Sequence, residues 1–417
     1  MSDVEMLKPL KTWSHLSARR RKPSEYEVVT TRLHYHDRDP NAPYEQDPNT
    51  FMNEWYKKNT YGSALKHDDW NAFRDPDEVV YRTYNMMQDG QETYVYGLFE
   101  QFAKREHDKS FEPGWVGTLG LRYAPARYLF HTLQMASAYL GQVAPASTIT
   151  VCGFFQMADS FRWLTHTAYR TKELDLAHPD KGFTKNERAY WEKEPIWQGY
   201  RELMEKVLVT WDWAEAFVAL NLVAKPAIEE GMLRNLSDSA RHNGDELMAM
   251  LCDAQMIDAM RHRRWSEALV KMALENEANR AVIQGWINKW EPLADKAIEA
   301  YCSGLPDVPD AADDAKVSDV EVTITVSSQP QNGTSVSGAV TFGVTASASS
   351  GSMTYQWQKK PVGATSRWAN ISGATSATYA VSGATSGNTG DQYRVILGSS
   401  SGAVKVTSNA ATLTFGT

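Results

Sequence analysis

Apolar residues recur every three or four positions through most of the chain before Pro306, and that spacing predicts amphipathic helices. The stripes run over about 75–109, 121–143, 147–174, 185–223 and 245–276; Leu203, Val207, Leu208, Trp211, Ala214 and Phe217 make up one of them. Pro226, directly after Lys225, interrupts a stretch that otherwise continues as helix to about residue 236, so a kink or bulge is expected there. Beyond Pro306 the period changes. Residues 306–319, rich in Asp, Ala and Pro, read as a linker, and Val320–Val326 and Val340–Val344 alternate as strands do, between clusters of Gly and Ser. At the other end, residues 1–60 carry Pro9, Pro23, Pro40, Pro43 and Pro48 among charged and aromatic residues, which predicts an extended arm. The expected organisation is therefore an arm (1–60), a helical domain (61–305), a linker (306–319) and an all-β domain (320–417).

Two of the helical stripes carry charge. Phe155, Asp159, Arg162, His166 and Tyr169 share one face, and Leu251, Ala254, Asp258, Arg261, Trp265 and Leu269 share another, so Asp159, Arg162, Asp258 and Arg261 point into the bundle. Buried unpaired, each would cost several kcal/mol, on the order of 2–7. Two pairings relieve that cost: across the helices, Asp159 with Arg261 and Asp258 with Arg162, or within each helix at i,i+3. The sequence leaves both open.

The blocks Asp159-Ser-Phe-Arg-Trp163 and Asp258-Ala-Met-Arg-His262 are alike and have the layout of a duplicated di-iron motif stripped of its ligands. A carboxylate-bridged di-iron site in a helical bundle needs a Glu from each of two helices and a Glu-x-x-His pair from each of the other two. None of the ten histidines has Glu three residues before it. The one carboxylate at that spacing, Asp175 before His178, is followed by Pro179 and reads as a turn.

Over roughly residues 7–305 the chain resembles the beta subunit of the hydroxylase component of bacterial multicomponent di-iron monooxygenases of the toluene and xylene type. The resemblance is carried by Leu7–His15, Lys22–Val28, Leu65–Phe73, Tyr81–Asn85, Asp89–Glu92, Arg162–Arg170 and Glu291–Tyr301. It implies a ferritin-like helical subunit, paralogous to the iron-bearing alpha subunit and without metal of its own. In the alpha subunits each paired block reads Asp-Glu-x-Arg-His and a preceding helix adds one Glu. Carried onto this chain, the ligand slots fall at or near Phe130, Ser160, Trp163, Lys225, Ala259 and His262. Only His262 could still bind a metal, and the ammonium of Lys225 would repel it. Glu229 and Glu230, a turn beyond Lys225, read as a solvated acidic face.

The resemblance also implies partners: a di-iron alpha subunit and a small gamma subunit in a dimer of alpha-beta-gamma, served by an effector protein, a ferredoxin and a reductase. The arm residues Trp13, His15, Tyr26, His34 and Tyr35 are the expected contacts with alpha, packing of the arm on its own domain being the other arrangement. Residues 320–417 resemble the immunoglobulin-like sandwiches of bacterial surface and phage proteins, with Trp357 as the core tryptophan, Asp391-Gln-Tyr393 as the tyrosine corner and Val395 where a disulfide cysteine would stand. That domain supports a second function, a surface or phage-type binding protein.

Composition narrows the field. The chain of 417 residues is 42% hydrophobic, enough for a large core and a second domain, and its 14 Trp and 19 Tyr suit buried subunit contacts. A formal charge of -8 argues against nucleic acid as the main partner, and Arg19–Lys22 is too short a basic run to reverse it. The three cysteines, Cys152, Cys252 and Cys302, are widely spaced and read as reduced thiols. Asp3 and Glu5 stand where a secretory signal has its basic region, and no apolar run reaches about eighteen residues, so no membrane contact and a cytoplasmic location are expected.

Overall fold

The computed structural model describes Leu16 and residues 22–33, 49–306, 324–336, 338–348, 352–363, 368–399 and 406–416. The chain divides into two compact units, Met1–Lys316 and Val317–Thr417.

The first unit is a helical bundle. Its α-helices are α1 (Glu25–Thr30), α2 (Phe51–Tyr56), α3 (Tyr81–Lys104), α4 (Pro113–Thr118), α5 (Ala126–Val143), α6 (Ser147–Ala177), α7 (Glu187–Lys193), α8 (Pro195–Leu208), α9 (Trp213–Phe217), α10 (Lys225–Ile228), α11 (Asn235–His242), α12 (Glu246–Ala273) and α13 (Ala278–Cys302). Three long predicted stripes become α3, α6 and α12. The stretch expected as one helix over 185–223 is broken twice. Pro195, which cannot donate a backbone hydrogen bond, opens α8 just after α7 ends, and Asp212 caps α9 by accepting from the Ala214 and Glu215 amides. Helix α13 has no counterpart among the predicted stripes, since Pro292 lies inside it and argues locally for a break; burial of Ile283, Ile287, Trp290, Ala294 and Ile298 on one face carries the helix through.

The extended arm needs correction. Of residues 1–60, those at 25–30 and 51–56 are helical because each segment has its own start signal: Ser24 and Glu27 form a reciprocal capping box, and Thr50 accepts from the Asn53 amide. Tyr26 packs on its own unit. It is buried, and its hydroxyl accepts from the Asp75 amide at 3.0 Å, so it is not available as a subunit contact. Trp13, His15, His34 and Tyr35 lie outside the described residues.

Around Pro226 the helix widens into π-turns on both sides, at Val218–Ala224 and Glu229–Arg234, with α10 between them. This is the expected bulge: the proline has no N–H to give the preceding turn, and a wider turn accommodates the gap.

The second unit is all β. Gly333–Ser335, Ala411–Phe415, Gln392–Ser399, Met353–Lys360 and Ala369–Asn370 lie side by side in that order, while Ile324–Ser328 pairs with Thr345–Ala348 and Ala339–Gly343 with Thr378–Ser382. Trp357 stands opposite Val395 in the ladder, and both are wholly buried with Phe342, Tyr393, Leu397 and Leu413. Residues 320–323 of the expected first strand lie outside the described residues.

Helix α8 packs on α13 so closely that a Cβ at Gly199 would lie 2.5 Å from the Cα of Ala297, whereas one at Gly285 would meet nothing within 4 Å. Gly199→Ala should therefore destabilise the protein by about 1–3 kcal/mol and Gly285→Ala should stabilise it by about 0.5–1 kcal/mol. Denaturant unfolding of both variants checks this, and equal effects would contradict the packing.

Candidate functional site

Helix α3 lies over α6 and α12 and brings Tyr84, Gln88 and Glu92, one turn apart, onto the four inward charges. Arg162 Nη1 stands 3.1 Å from Asp258 Oδ2, and Arg261 pairs with Asp159. The same-helix contacts are longer: 3.5 Å for Arg162 to Asp159 and 3.9 Å for Arg261 to Asp258. Both pairings are therefore present, with the cross-helix one tighter.

Each carboxylate is met by several further donors. Asp159 accepts from the Tyr84 hydroxyl and Gln88 Nε2, both at 2.8 Å, and Asp258 accepts from Trp163 Nε1 at 3.0 Å and from Gln88 Nε2 at 3.1 Å. Gln88 thus clips the two carboxylates together. Glu92 closes the outer end, accepting from Arg162 Nε at 2.6 Å with His166 Nε2 3.0 Å away. Tyr84 stacks on Phe155 and carries the Arg261 guanidinium over its ring at 5.4 Å. Burial pushes the Asp159 and Asp258 carboxyls above the usual carboxylate range, against the pull of Arg261 and Arg162 respectively.

The positions expected as ligand slots hold groups of another kind. Trp163 fills the centre: Phe130 meets it edge-on at 5.7 Å, the Lys225 ammonium lies 5.3 Å over its ring, and the His262 ring is 6.1 Å away. Ser160 turns its hydroxyl onto the Gln156 carbonyl, and Ala259 contributes only a buried methyl. Lys225 pairs with Glu229 at 2.8 Å, and Arg263 binds the same carboxylate at 2.8 Å. The solvated acidic face expected at Glu229 is therefore corrected. Glu229 is 1% exposed, because a widened turn swings it inward to the ammonium. Burial alone would raise its pKa; Lys225 and Arg263 outweigh burial and hold it at about 2. Glu230 pairs with Arg263 and Arg234 nearer the surface.

His262 is wholly encased. Burial, then Lys225 and Arg261, push its pKa well below the ordinary histidine value, so the ring is neutral. Its Nε2 lies 2.8 Å from Asp159 Oδ2, which assigns the proton to Nε2 and leaves Nδ1 as a bare acceptor with no hydrogen-bond partner. The Lys225 ammonium and the Arg261 guanidinium both bear on the ring, and Asp159 and Asp258 are each met by several donors. The residues present do not fit a di-iron centre. Among the described residues, no group of three or more His, Cys, Asp or Glu is arranged to hold a metal ion.

Sequence reasoning missed Tyr84, Gln88, Glu92 and Arg263. For the first three the signal was present: polar residues at four-residue spacing within a stripe continued by Val95 and Phe99.

Because the His262 pKa is depressed on folding, the unfolded chain binds a proton that the folded chain does not. Stability should be full above about pH 6.5 and fall as pH drops below it, by about 1.4 kcal/mol per pH unit while the two states differ by one proton. His262→Gln, which can still donate to Asp159, should remove that slope. Denaturation between about pH 5 and 8 checks it, and an unchanged slope in the variant would refute the assignment.

Comparison with known proteins agrees with this geometry. Residues 43–277 match the methane/phenol/alkene hydroxylase family. The chain is 59% identical over 301 residues to the beta subunit of the hydroxylase component of the toluene-4-monooxygenase system of Ectopseudomonas mendocina, covering 72% of this chain and 92% of that one. It is also similar to an alpha subunit, that of the oxygenase component of the alkene monooxygenase system of Xanthobacter autotrophicus, with 23% identity over 233 residues, 55% of this chain and 45% of that one. A solved structure of toluene 4-monooxygenase with toluene bound in its resting active site superposes with a TM-score of 0.68 at 58% identity, covering 72% of this chain and 99% of that chain. The helical unit thus has the ferritin-like hydroxylase fold, and the surface or phage-type alternative gains no support. No helix among the described residues is long and apolar enough to cross a membrane. The chain belongs to the methane/phenol/alkene hydroxylase family, and a hydroxylase beta subunit is among the relatives it resembles.

Proposed function

We propose that this chain is the non-catalytic structural beta subunit of an aromatic-hydrocarbon monooxygenase hydroxylase, and that it supports an alpha subunit in which a di-iron centre hydroxylates toluene-like substrates. One observation carries the reading: Trp163, the Lys225 ammonium and the neutral His262 imidazole, which we read as standing at former iron-ligand positions, lie together in the buried core. A site of that composition offers no ligand set for iron, while the Asp159, Arg162, Asp258 and Arg261 network beside it, with Tyr84 and Gln88, ties α3, α6 and α12 together by charge and hydrogen bonds. Fixing such helices gives a partner a rigid surface to dock on, and a rigid scaffold is what holds catalytic groups of a neighbouring subunit in place.

The overall reaction assigned to the complex takes one oxygen atom of O2 into the ring and reduces the other to water, with two electrons originating from NADH. The complex is read as a dimer of alpha-beta-gamma, served by an effector protein, a ferredoxin and a reductase. The degenerate slots Phe130, Ser160, Trp163, Lys225, Ala259 and His262 are read as remnants of a shared ancestral site, and Asp159, Arg162, Asp258 and Arg261 as the network that replaces it.

Iron analysis of the chain expressed alone in iron-supplemented medium checks this. We expect far less than one iron per chain, and no oxidation of toluene when a reductant system is supplied. A stoichiometric content of about two irons per chain would overturn the proposal.

A further inference from the structure

The all-β unit lies beyond the residues 43–277 that match the family, and one of its faces carries cations that no acid meets among the described residues. In the ladder of Met353–Lys360 with Gln392–Ser399, Trp357 stands opposite Val395 and both point into the core. Side chains alternate along a strand, so Gln356, Gln358 and Lys360, with Ile396, Arg394 and Gln392 opposite them, share the outer face. Asn370, opposite Gln358, carries that face onto Ala369–Asn370, the strand at the end of the sheet.

Arg394 is fixed on this face from two sides. Its guanidinium lies 4.3 Å over the Trp368 ring, and its Nε donates to Gln358 Oε1 at 2.8 Å. Gln358 in turn donates from Nε2 to Asn370 Oδ1 at 2.8 Å. The ring and the amide together hold the guanidinium plane and leave the Nη groups as unspent donors. Partial burial lowers the Arg394 pKa, with no carboxylate to offset it. Asp391, the one acid among the described residues of this unit, is taken by Lys359 at 2.8 Å, so neither Arg394 nor Lys360 has an acidic partner there.

What this face has left to offer decides the ligand. Gln356 spends its amide on the Trp357 and Ile371 carbonyls at 3.0 and 2.9 Å, and Gln358 and Asn370 engage each other, which leaves few side-chain amides for sugar hydroxyls. Trp368 gives one side of its ring to Arg394 and so withholds a stacking surface from a sugar or a base. Two cations are few for a nucleic acid, whose affinity rests on many phosphate contacts. A planar guanidinium with free Nη groups matches a carboxylate, and Lys360 adds a second charge two residues along the strand from Gln358. Beside them Ala369–Asn370 is exposed and has no strand beyond it among the described residues, an edge along which an extended chain can lie.

We propose that this outer face, with Arg394 at its centre and Ala369–Asn370 at its edge, binds an extended acidic protein segment, one carboxylate seating on the Arg394 Nη groups and a second approaching Lys360. The site does not depend on the function proposed above.

Calorimetric titration of the full chain with a capped peptide of about eight residues, alternating threonine and aspartate, tests this. Saturable binding is expected, with none for the same peptide carrying lysine in place of aspartate. Arg394→Lys, which keeps the charge and loses the planar fork, should weaken binding by about tenfold, and Lys360→Gln by about three- to tenfold, while Lys271→Gln on the helical unit leaves it unchanged. No binding, equal binding of the two peptides, or full affinity in both variants would overturn the proposal. So would displacement of the acidic peptide by single-stranded DNA or hyaluronate at equal charge concentration, which would assign the face to a nucleic acid or a glycan. Should Arg394→Lys not fold, Lys360→Gln decides alone, and wild-type affinity in that variant would overturn the proposal.

Discussion

Charged side chains can sit in the interior of a helical bundle only where each carboxylate is met by enough donors to replace its lost water. In this chain that requirement is satisfied around Asp159 and Asp258, and much of the helical unit is arranged to satisfy it. Tyr84 and Gln88 come from α3, Arg162 and Trp163 from α6, Arg261 and His262 from α12. Each helix is held by partners on the other two, so none can slide or rotate without stranding a buried charge. A metal centre imposes the same geometric demand through ligands. Here hydrogen-bonded ion pairs impose it.

The Lys225–Glu229 pair extends the same logic. An ammonium over Trp163 places positive charge beside the neutral His262, and Glu229 together with Arg263 keeps that charge balanced. The widened turns on either side of Pro226 bring both groups inward. In an ordinary α-helix at this sequence, without the widened turn, Glu229 would have been free to point outward.

What could be read from the sequence divides along this line. The stripes of α6 and α12 placed the four charges inside, because helical period alone decides which face a residue occupies. The choice between cross-helix and same-helix pairing was not legible, since it depends on how two helices approach each other, and the answer involves both. The inward turn of Glu229 was missed because a π-turn shifts the register by one residue and no local signal besides Pro226 announces it. The helices at 25–30 and 51–56 were hidden by surrounding prolines although Ser24, Glu27 and Thr50 marked their starts. Helix α13 was hidden by Pro292, where tertiary burial overrides a local breaker. The absence of Glu-x-x-His, by contrast, needed only the sequence.

The central claim is that the buried ion pairs lock the three helices to one another. A double-mutant cycle on Asp159 and Arg261, using Asp159→Asn, Arg261→Gln and the combined variant, measures it by denaturant unfolding. The account predicts a coupling of more than about 1 kcal/mol, with the combined variant less damaged than the two single losses added together. Strict additivity of the two single effects would contradict it.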